Sequence, residues 1–280
     1  ENLGDINGDG INDMITSAPN GAPAGSFTGK VYVYSGSDGS LLNAVVGSQP
    51  GQRFGYSASR AGDVNADGVP DYVAGGPGGT GRVMVFSGAD HKVLHEWSGT
   101  PGSGFGAAAT SAGDIDGDGY GDLIVGSTRD HTGGELAGRV YVYSGRDGSV
   151  IWQRDGIPGA RLGTAVGLVG DVNGDGVPDL SVGAGGGGRK GGGEAYVFSG
   201  QDGSLIHTLR PVGIPNTFGV FFASGAGDVN ADGVPDIYVG DYNALRGAGD
   251  LDDGLGTGRA YVFSGRDGSR LHVILSLIHI

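Results

Sequence analysis

Five times along this 280-residue chain, Asp, Asn and Gly recur at a spacing suited to holding a hard cation. The loops are nine residues long: Asp5 to Asp13, Asp63 to Asp71, Asp114 to Asp122, Asp171 to Asp179 and Asp228 to Asp236. Each puts side-chain oxygens at positions 1, 3, 5 and 9 and Gly at position 6. These are Asp5, Asn7, Asp9 and Asp13; Asp63, Asn65, Asp67 and Asp71; Asp114, Asp116, Asp118 and Asp122; Asp171, Asn173, Asp175 and Asp179; and Asp228, Asn230, Asp232 and Asp236. Calcium takes about six to eight oxygen ligands. The position-7 carbonyls of Ile11, Val69, Tyr120, Val177 and Val234 offer one more per loop. Magnesium, octahedral and reluctant to shed water, suits such a loop less well. Asp, Asn and Gly also form plain turns. A turn, however, does not need acids at positions 1, 5 and 9 together, and all five copies keep them. An EF-hand takes its last acid from position 12 and runs on into helix. Here the ninth residue is Asp and strand-like residues follow.

Strands must carry these loops. The first aspartates, Asp5, Asp63, Asp114, Asp171 and Asp228, recur at a nearly constant interval. A short apolar run follows each loop, such as Leu123-Ile124-Val125-Gly126, and then a string of the type Gly138-Arg139-Val140-Tyr141-Val142-Tyr143-Ser144-Gly145. Alternating β-branched and aromatic residues read as a strand. An Asp-Gly turn, which is hairpin chemistry, then opens a further run in four copies. The second copy has Asp90-His91 there. One more segment, such as Gly104-Phe105-Gly106, precedes each acidic loop, except that the first copy lacks its opening strand. Four short strands in every interval, with no amphipathic helical pattern, describe an all-β fold, a β-propeller of four-stranded blades. The expected blades are residues 1–46, 47–98, 99–155, 156–212 and 213–274. The last residues, 275–280, break the pattern, read like a sequencing adapter and fall outside the expected structure.

Phe-Gly before the loop, the loop itself, and Gly75-Gly76-Pro77 or Ser17-Ala18-Pro19 after it resemble the FG-GAP repeats of integrin α-subunit propellers and their bacterial relatives. The resemblance spans nearly all of residues 1–274. Leu162 replaces Phe in the fourth copy, and the later Gly-Ala-Pro strings decay to Gly126-Ser127-Thr128, Gly183-Ala184-Gly185 and Gly240-Asp241-Tyr242. The resemblance implies a ring of seven blades, of which five are present, in a fragment of a secreted bacterial protein. It also implies an adhesion or ligand-binding module whose protein or glycan partner meets the face opposite the calcium loops. The Ser-Gly-x-Asp-Gly-Ser strings are similar to quinoprotein-type blades as well. That leaves a second reading, an accessory propeller of a carbohydrate-active or quinoprotein-like enzyme.

Composition points the same way. The 63 Gly and 11 Pro have fixed places in the period, so they mark turns and not disorder. There is no Cys and no apolar run of membrane-spanning length. The net charge of -14 disfavours nucleic acid and anionic membrane as partners. The loops hold 16 of the 31 acids, and five calcium ions would bring the charge to -4. Weak calcium sites fill outside the cytosol, which places the protein in the extracellular space, on a cell surface or in the periplasm. Three Lys against fourteen Arg suits a GC-rich bacterial genome.

Alternating strands put the acidic loops and the Asp-Gly turns on one face. The connections that differ in length lie on the other, the longest being residues 129–137, 185–192 and 241–257. Tyr242, Arg246, Asp250, Asp252 and Asp253 in the last are the candidate ligand-binding residues. No His stands in a metal-ligand or nucleophile spacing, so no catalytic residue is assigned. The string 185–191 mimics a phosphate loop but has Gly after Lys190 where Ser or Thr is needed. Trp97 and Trp152 read as packing residues in the fourth strands.

Overall fold

The structure, a computed structural model, describes residues 1–23, 25–187, 192–212, 217–242 and 258–275. Among these, twenty strands form five four-stranded antiparallel sheets, each with its strands in chain order. The first holds β1 (Asn2–Gly4), β2 (Asp13–Ala18), β3 (Lys30–Tyr34) and β4 (Leu41–Val46), the second β5 (Ser57–Gly62), β6 (Asp71–Gly76), β7 (Arg82–Phe86) and β8 (Val93–Ser98). The third holds β9 (Phe105–Gly113), β10 (Asp122–Ser127), β11 (Arg139–Tyr143) and β12 (Val150–Asp155), the fourth β13 (Leu162–Gly170), β14 (Asp179–Ala184), β15 (Glu194–Phe198) and β16 (Leu205–Leu209). The fifth holds β17 (Phe218–Gly227), β18 (Asp236–Asp241), β19 (Arg259–Phe263) and β20 (Arg270–Leu275). These sheets are the blades of a β-propeller. The first blade does not lack its opening strand. Asn2–Gly4 pairs with β2, and so short a strand suffices because Glu1 extends the contact through its amino group to the Ile15 carbonyl at 2.8 Å.

Side-chain alternation decides which blade each residue meets. In the third strands, the second and fourth positions face the next blade and the third and fifth face the preceding one. Val31 and Val33 therefore pack with Tyr72, Met84 and Phe86 of the second blade in one buried cluster. Val83 and Val85 meet Tyr143 of the third blade in the same way, and Val140 and Val142 meet Phe198 of the fourth. A fourth cluster joins Ala195 and Val197 to Tyr261 and Phe263 of the fifth. The Phe-Gly pair serves this packing. Phe54, Phe105 and Phe218 are buried in the clusters, and Leu162 fills the equivalent place at 2% exposure, so its departure from Phe keeps the packing role. Gly138 sits directly against the Leu162 backbone at φ 72, where a Cβ would collide with main-chain atoms. This glycine therefore sets the spacing between blades three and four.

Met14 of the first blade is 51% exposed, whereas Tyr72, Leu123, Leu180 and Ile237 at the same register in the other blades are fully buried. The difference is the missing neighbour, since each of those four is covered by the blade before it. The first strands of the blades pack side by side and line a central cleft with small residues, Ser57, Ala108, Thr110 and Thr164 among them.

Candidate metal centre

Each acidic loop joins the first and second strand of its blade, and all five repeat one hydrogen-bond pattern. The position-1 carboxylate accepts the backbone N–H of positions 5 and 6: Asp118 and Gly119 both donate to Asp114, at 3.0 Å, and Asp9 and Gly10 donate to Asp5 at 3.1 and 2.8 Å. The position-5 carboxylate accepts the N–H of position 7, as from Tyr120 to Asp118 at 3.0 Å or Val69 to Asp67 at 2.8 Å. Position 6 is Gly in every copy because the chain is left-handed there, with φ between 85° and 89°. Position 4 is left-handed too, and in loops two and five Ala66 and Ala231 adopt it at φ 56 and 57.

The position-9 aspartates differ from the rest. Asp13, Asp71, Asp122, Asp179 and Asp236 are fully buried, while positions 1, 3 and 5 stand at the solvent edge. One oxygen of each accepts the N–H of loop position 2, from Ile6, Val64, Ile115, Val172 or Val229 at 2.7–2.9 Å. The other accepts the N–H of the glycine that opens the turn after the third strand, from Gly36, Gly88, Gly145, Gly200 or Gly265 at 2.8–3.1 Å. This Asp is a latch between two loops as well as a candidate ligand, a role its spacing does not reveal. Burial, reinforced by neighbouring loop carboxylates, pushes Asp71 and Asp122 up to about 6 and raises Asp179 as well.

The third position separates the loops. In four of them Asn stands there, and its amide donates to the position-5 carboxylate, as from Asn65 to Asp67 at 2.9 Å and from Asn173 to Asp175 at 2.8 Å. In the third loop Asp116 takes that place with no amide to donate. Ligand oxygens of Asp114, Asp116 and Asp122 lie within 4.8 Å of one another, and burial together with Asp118 and Asp114 raises Asp116 above the usual carboxylate range. This all-oxygen donor set, with one buried and two exposed carboxylates, fits a hard divalent cation. In the fifth loop Arg266 approaches instead, its Nε 3.3 Å from Asp232, and holds that carboxyl below its ordinary value.

The turns after the third strands are wider than a two-residue hairpin. Gly39, Gly148, Gly203 and Gly268 donate back to Ser35, Ser144, Ser199 and Ser264, and His91 takes the left-handed place at φ 60 in the second blade. A second pattern, invisible in local motifs, occupies the third residue of the fourth strands. His95 Nε2 meets the Gly145 carbonyl of the next blade, Trp152 Nε1 donates to Gly200 O at 2.7 Å and His207 Nε2 meets Gly265 O at 2.7 Å. Asn43, in the same place, donates to the Tyr72 hydroxyl at 2.8 Å. Trp152 is thus buried and bonded, as its packing role requires, and Trp97 stacks on Tyr143 with ring centroids 4.6 Å apart.

Of the candidate ligand-binding residues, Tyr242 is 52% exposed and lies 5.1 Å from the ring of Phe221. Arg246, Asp250, Asp252 and Asp253 lie outside the described residues, as do residues 188–191 of the phosphate-loop-like string and 276–280 of the tail, whereas Leu275, expected to fall outside the structure with them, pairs with Arg259 at the end of β20. Among the described residues no helix is long and apolar enough to cross a membrane.

The repeat and its geometry agree with comparison to known families. The FG-GAP repeat model matches residues 2–34 and 162–198, and an FG-GAP-like repeat model matches residues 63–125. The protein is a β-propeller carrying FG-GAP repeats. It is 31% identical over 209 residues to integrin alpha-5 of Xenopus laevis, covering 67% of this chain and 20% of that one. It is 32% identical over 187 residues to integrin alpha-4 of Xenopus laevis, with 59% and 18% covered, and 35% identical over 141 residues to integrin alpha-PS5 of Drosophila melanogaster, with 44% and 14% covered. The chain spans a fifth or less of the length of these relatives.

Proposed function

We propose that this chain is a calcium-binding β-propeller module of adhesion type, acting outside the cytosol and recognising a protein ligand on the face opposite its acidic loops. The observation that carries the reading is the convergence of Asp114, Asp116 and Asp122 in a loop whose backbone pattern four other blades repeat. In each loop the side chains of positions 1, 3, 5 and 9 and the position-7 carbonyl would hold the ion. When bound, calcium supplies charge neutralisation at a point where three or four acids meet. The chain's own residues do the positioning: the Gly at position 6 reverses the loop, and the buried Asp ties it to the neighbouring turn. The similarity to integrin alpha chains supports adhesion and an extracellular or cell-surface setting. The protein is read as non-catalytic, with His95 and His207 bonded between blades.

Thermal unfolding followed by circular dichroism, first with millimolar calcium and then with excess chelator, tests this reading. A ligand that binds only the folded state must raise the midpoint. An unchanged midpoint in a cooperatively folding sample reduces the five loops to turns and removes the calcium reading.

A further inference from the structure

The connections on the face opposite the acidic loops form a cleft in several blades, beside the residue that opens the third strand. Their charges differ. In the second blade Arg82 is consumed: its Nε donates to Glu96 at 2.7 Å and its Nη1 to Ser48 at 2.9 Å. In the fourth blade the equivalent residue is Glu194, paired with Arg210 at 2.7 Å. The third blade has a cleft of about 390 Å³ in which Arg139 is likewise paired, with Asp155, but here the long connection 129–137 adds Arg129 and His131 to the wall. Among the described residues the Arg129 guanidinium makes no hydrogen bond or ion pair, which leaves a free cation in a cleft of a protein whose net charge is -14.

The wall is built, not loose. Arg129 N–H donates to the Ser103 carbonyl at 2.7 Å, joining the two connections that border the cleft. Gly138 N–H closes the loop onto Asp130 O at 3.0 Å, and Arg161 N–H bonds Leu136 O at 3.0 Å. Asp130 is the one opposing charge in the lining. One oxygen of its carboxylate accepts the Thr132 N–H at 2.8 Å, and the residue is 7% exposed. His131 Nδ1 accepts the Leu136 N–H at 3.4 Å. That bond puts the ring proton of the neutral form on Nε2 and makes that atom a donor. One free guanidinium, one imidazole N–H and the hydroxyls of Thr100, Thr132 and Tyr141 make a donor set for a single planar negative charge. A phosphate dianion would bring a second charge toward Asp130, where the other guanidinium of the lining, Arg139, is already paired with Asp155. A sugar acid would want an open aromatic face. The Tyr141 ring does not offer one, because the Arg139 guanidinium lies over it and the Tyr143 ring is stacked beside it.

We propose that this cleft seats an acidic side chain of a protein partner, its carboxylate held by the Arg129 guanidinium and the His131 Nε2–H. The assignment rests on the reading that the face opposite the acidic loops is the recognition face.

The probe is a fluorescein-labelled hexaglutamate peptide, titrated by anisotropy at low ionic strength with calcium present, against the wild-type chain, Arg129→Ala and Arg146→Ala. Arg146 lies on the acidic-loop face, where its guanidinium sits over the Tyr120 ring, so its removal makes the same change in net charge on the other side of the molecule. The expected result is binding that weakens tenfold or more in Arg129→Ala and stays within twofold in Arg146→Ala. Equal losses in the two variants, or no loss in Arg129→Ala, overturn the assignment. If the wild type does not bind the peptide while calcium still raises its unfolding midpoint, the cleft assignment fails and the calcium-stabilised module stands. Preference for hexagalacturonate over hexaglutamate overturns the protein partner in favour of a glycan.

Discussion

The two faces of this molecule are built on opposite principles. On the acidic face, five loops keep Asp at positions 1, 5 and 9 and Gly at position 6 and repeat one hydrogen-bond pattern, down to the glycine that donates to the buried ninth-position aspartate. On the other face, the residue that opens the third strand is Lys30, Arg82, Arg139, Glu194 or Arg259, and the connections beside it vary in length and pairing. Repetition marks what every blade needs in order to stand. Variation marks what a single blade can do alone.

The largest effect expected from that contrast is calcium removal. At a hundredfold excess over the dissociation constant each occupied site contributes about 2.7 kcal/mol, so five sites together should move the midpoint by many degrees, as calorimetry with and without chelator would read. Next comes the distinction within a loop. Asp122 is a buried carboxylate that satisfies two backbone donors. Asp122→Ala should cost about 3 kcal/mol even in chelator, whereas Asp114→Ala at the exposed edge should abolish the calcium response of its loop with a far smaller cost in the ion-free state. Urea titrations of both variants, with and without calcium, separate the two roles. Equal behaviour would erase the latch.

A smaller effect follows from acidity. Asp71 and Asp122 titrate at about 6 in the folded chain against an ordinary value of 3.8, so the folded state holds protons that the unfolded state has released. Their contribution is fully present below about pH 4 and is lost as pH rises through about 6. In chelator the midpoint should therefore fall by several degrees between pH 5 and pH 7.5. With calcium, which favours the charged form, the fall should shrink or reverse. The smallest expected effect lies at Ala66 and Ala231, held left-handed where the other loops have Gly. Ala66→Gly should stabilise the chain by about 1 kcal/mol, measurable by urea unfolding, because the Cβ penalty of that conformation disappears.

The blades and the acidic loops are legible in the sequence because they are local: alternation marks the strands, and the positions of Asp and Gly mark the loops. The first strand escapes such a reading because Asn2–Gly4 is too short to alternate, and only its pairing with β2 defines it. The double duty of Asp122 is hidden because its partner, Gly145, lies far downstream, across a strand pair. The row of Asn43, His95, Trp152 and His207 is hidden for a different reason. The residues share a structural position and a bonding direction but no chemistry that a pattern of residue types would collect. The cleft of the third blade depends on which arginine is already paired, and pairing is a property of three dimensions alone.

Gly145 donates its N–H to Asp122 within its own blade and offers its carbonyl to His95 of the blade before, and Gly200 and Gly265 do the same with Asp179 and Trp152 and with Asp236 and His207. Each of these residues is a pin through two plates. Pull on the outer strand of one blade reaches, through that glycine, the buried aspartate that anchors the acidic loop of the next, always in the same rotational sense.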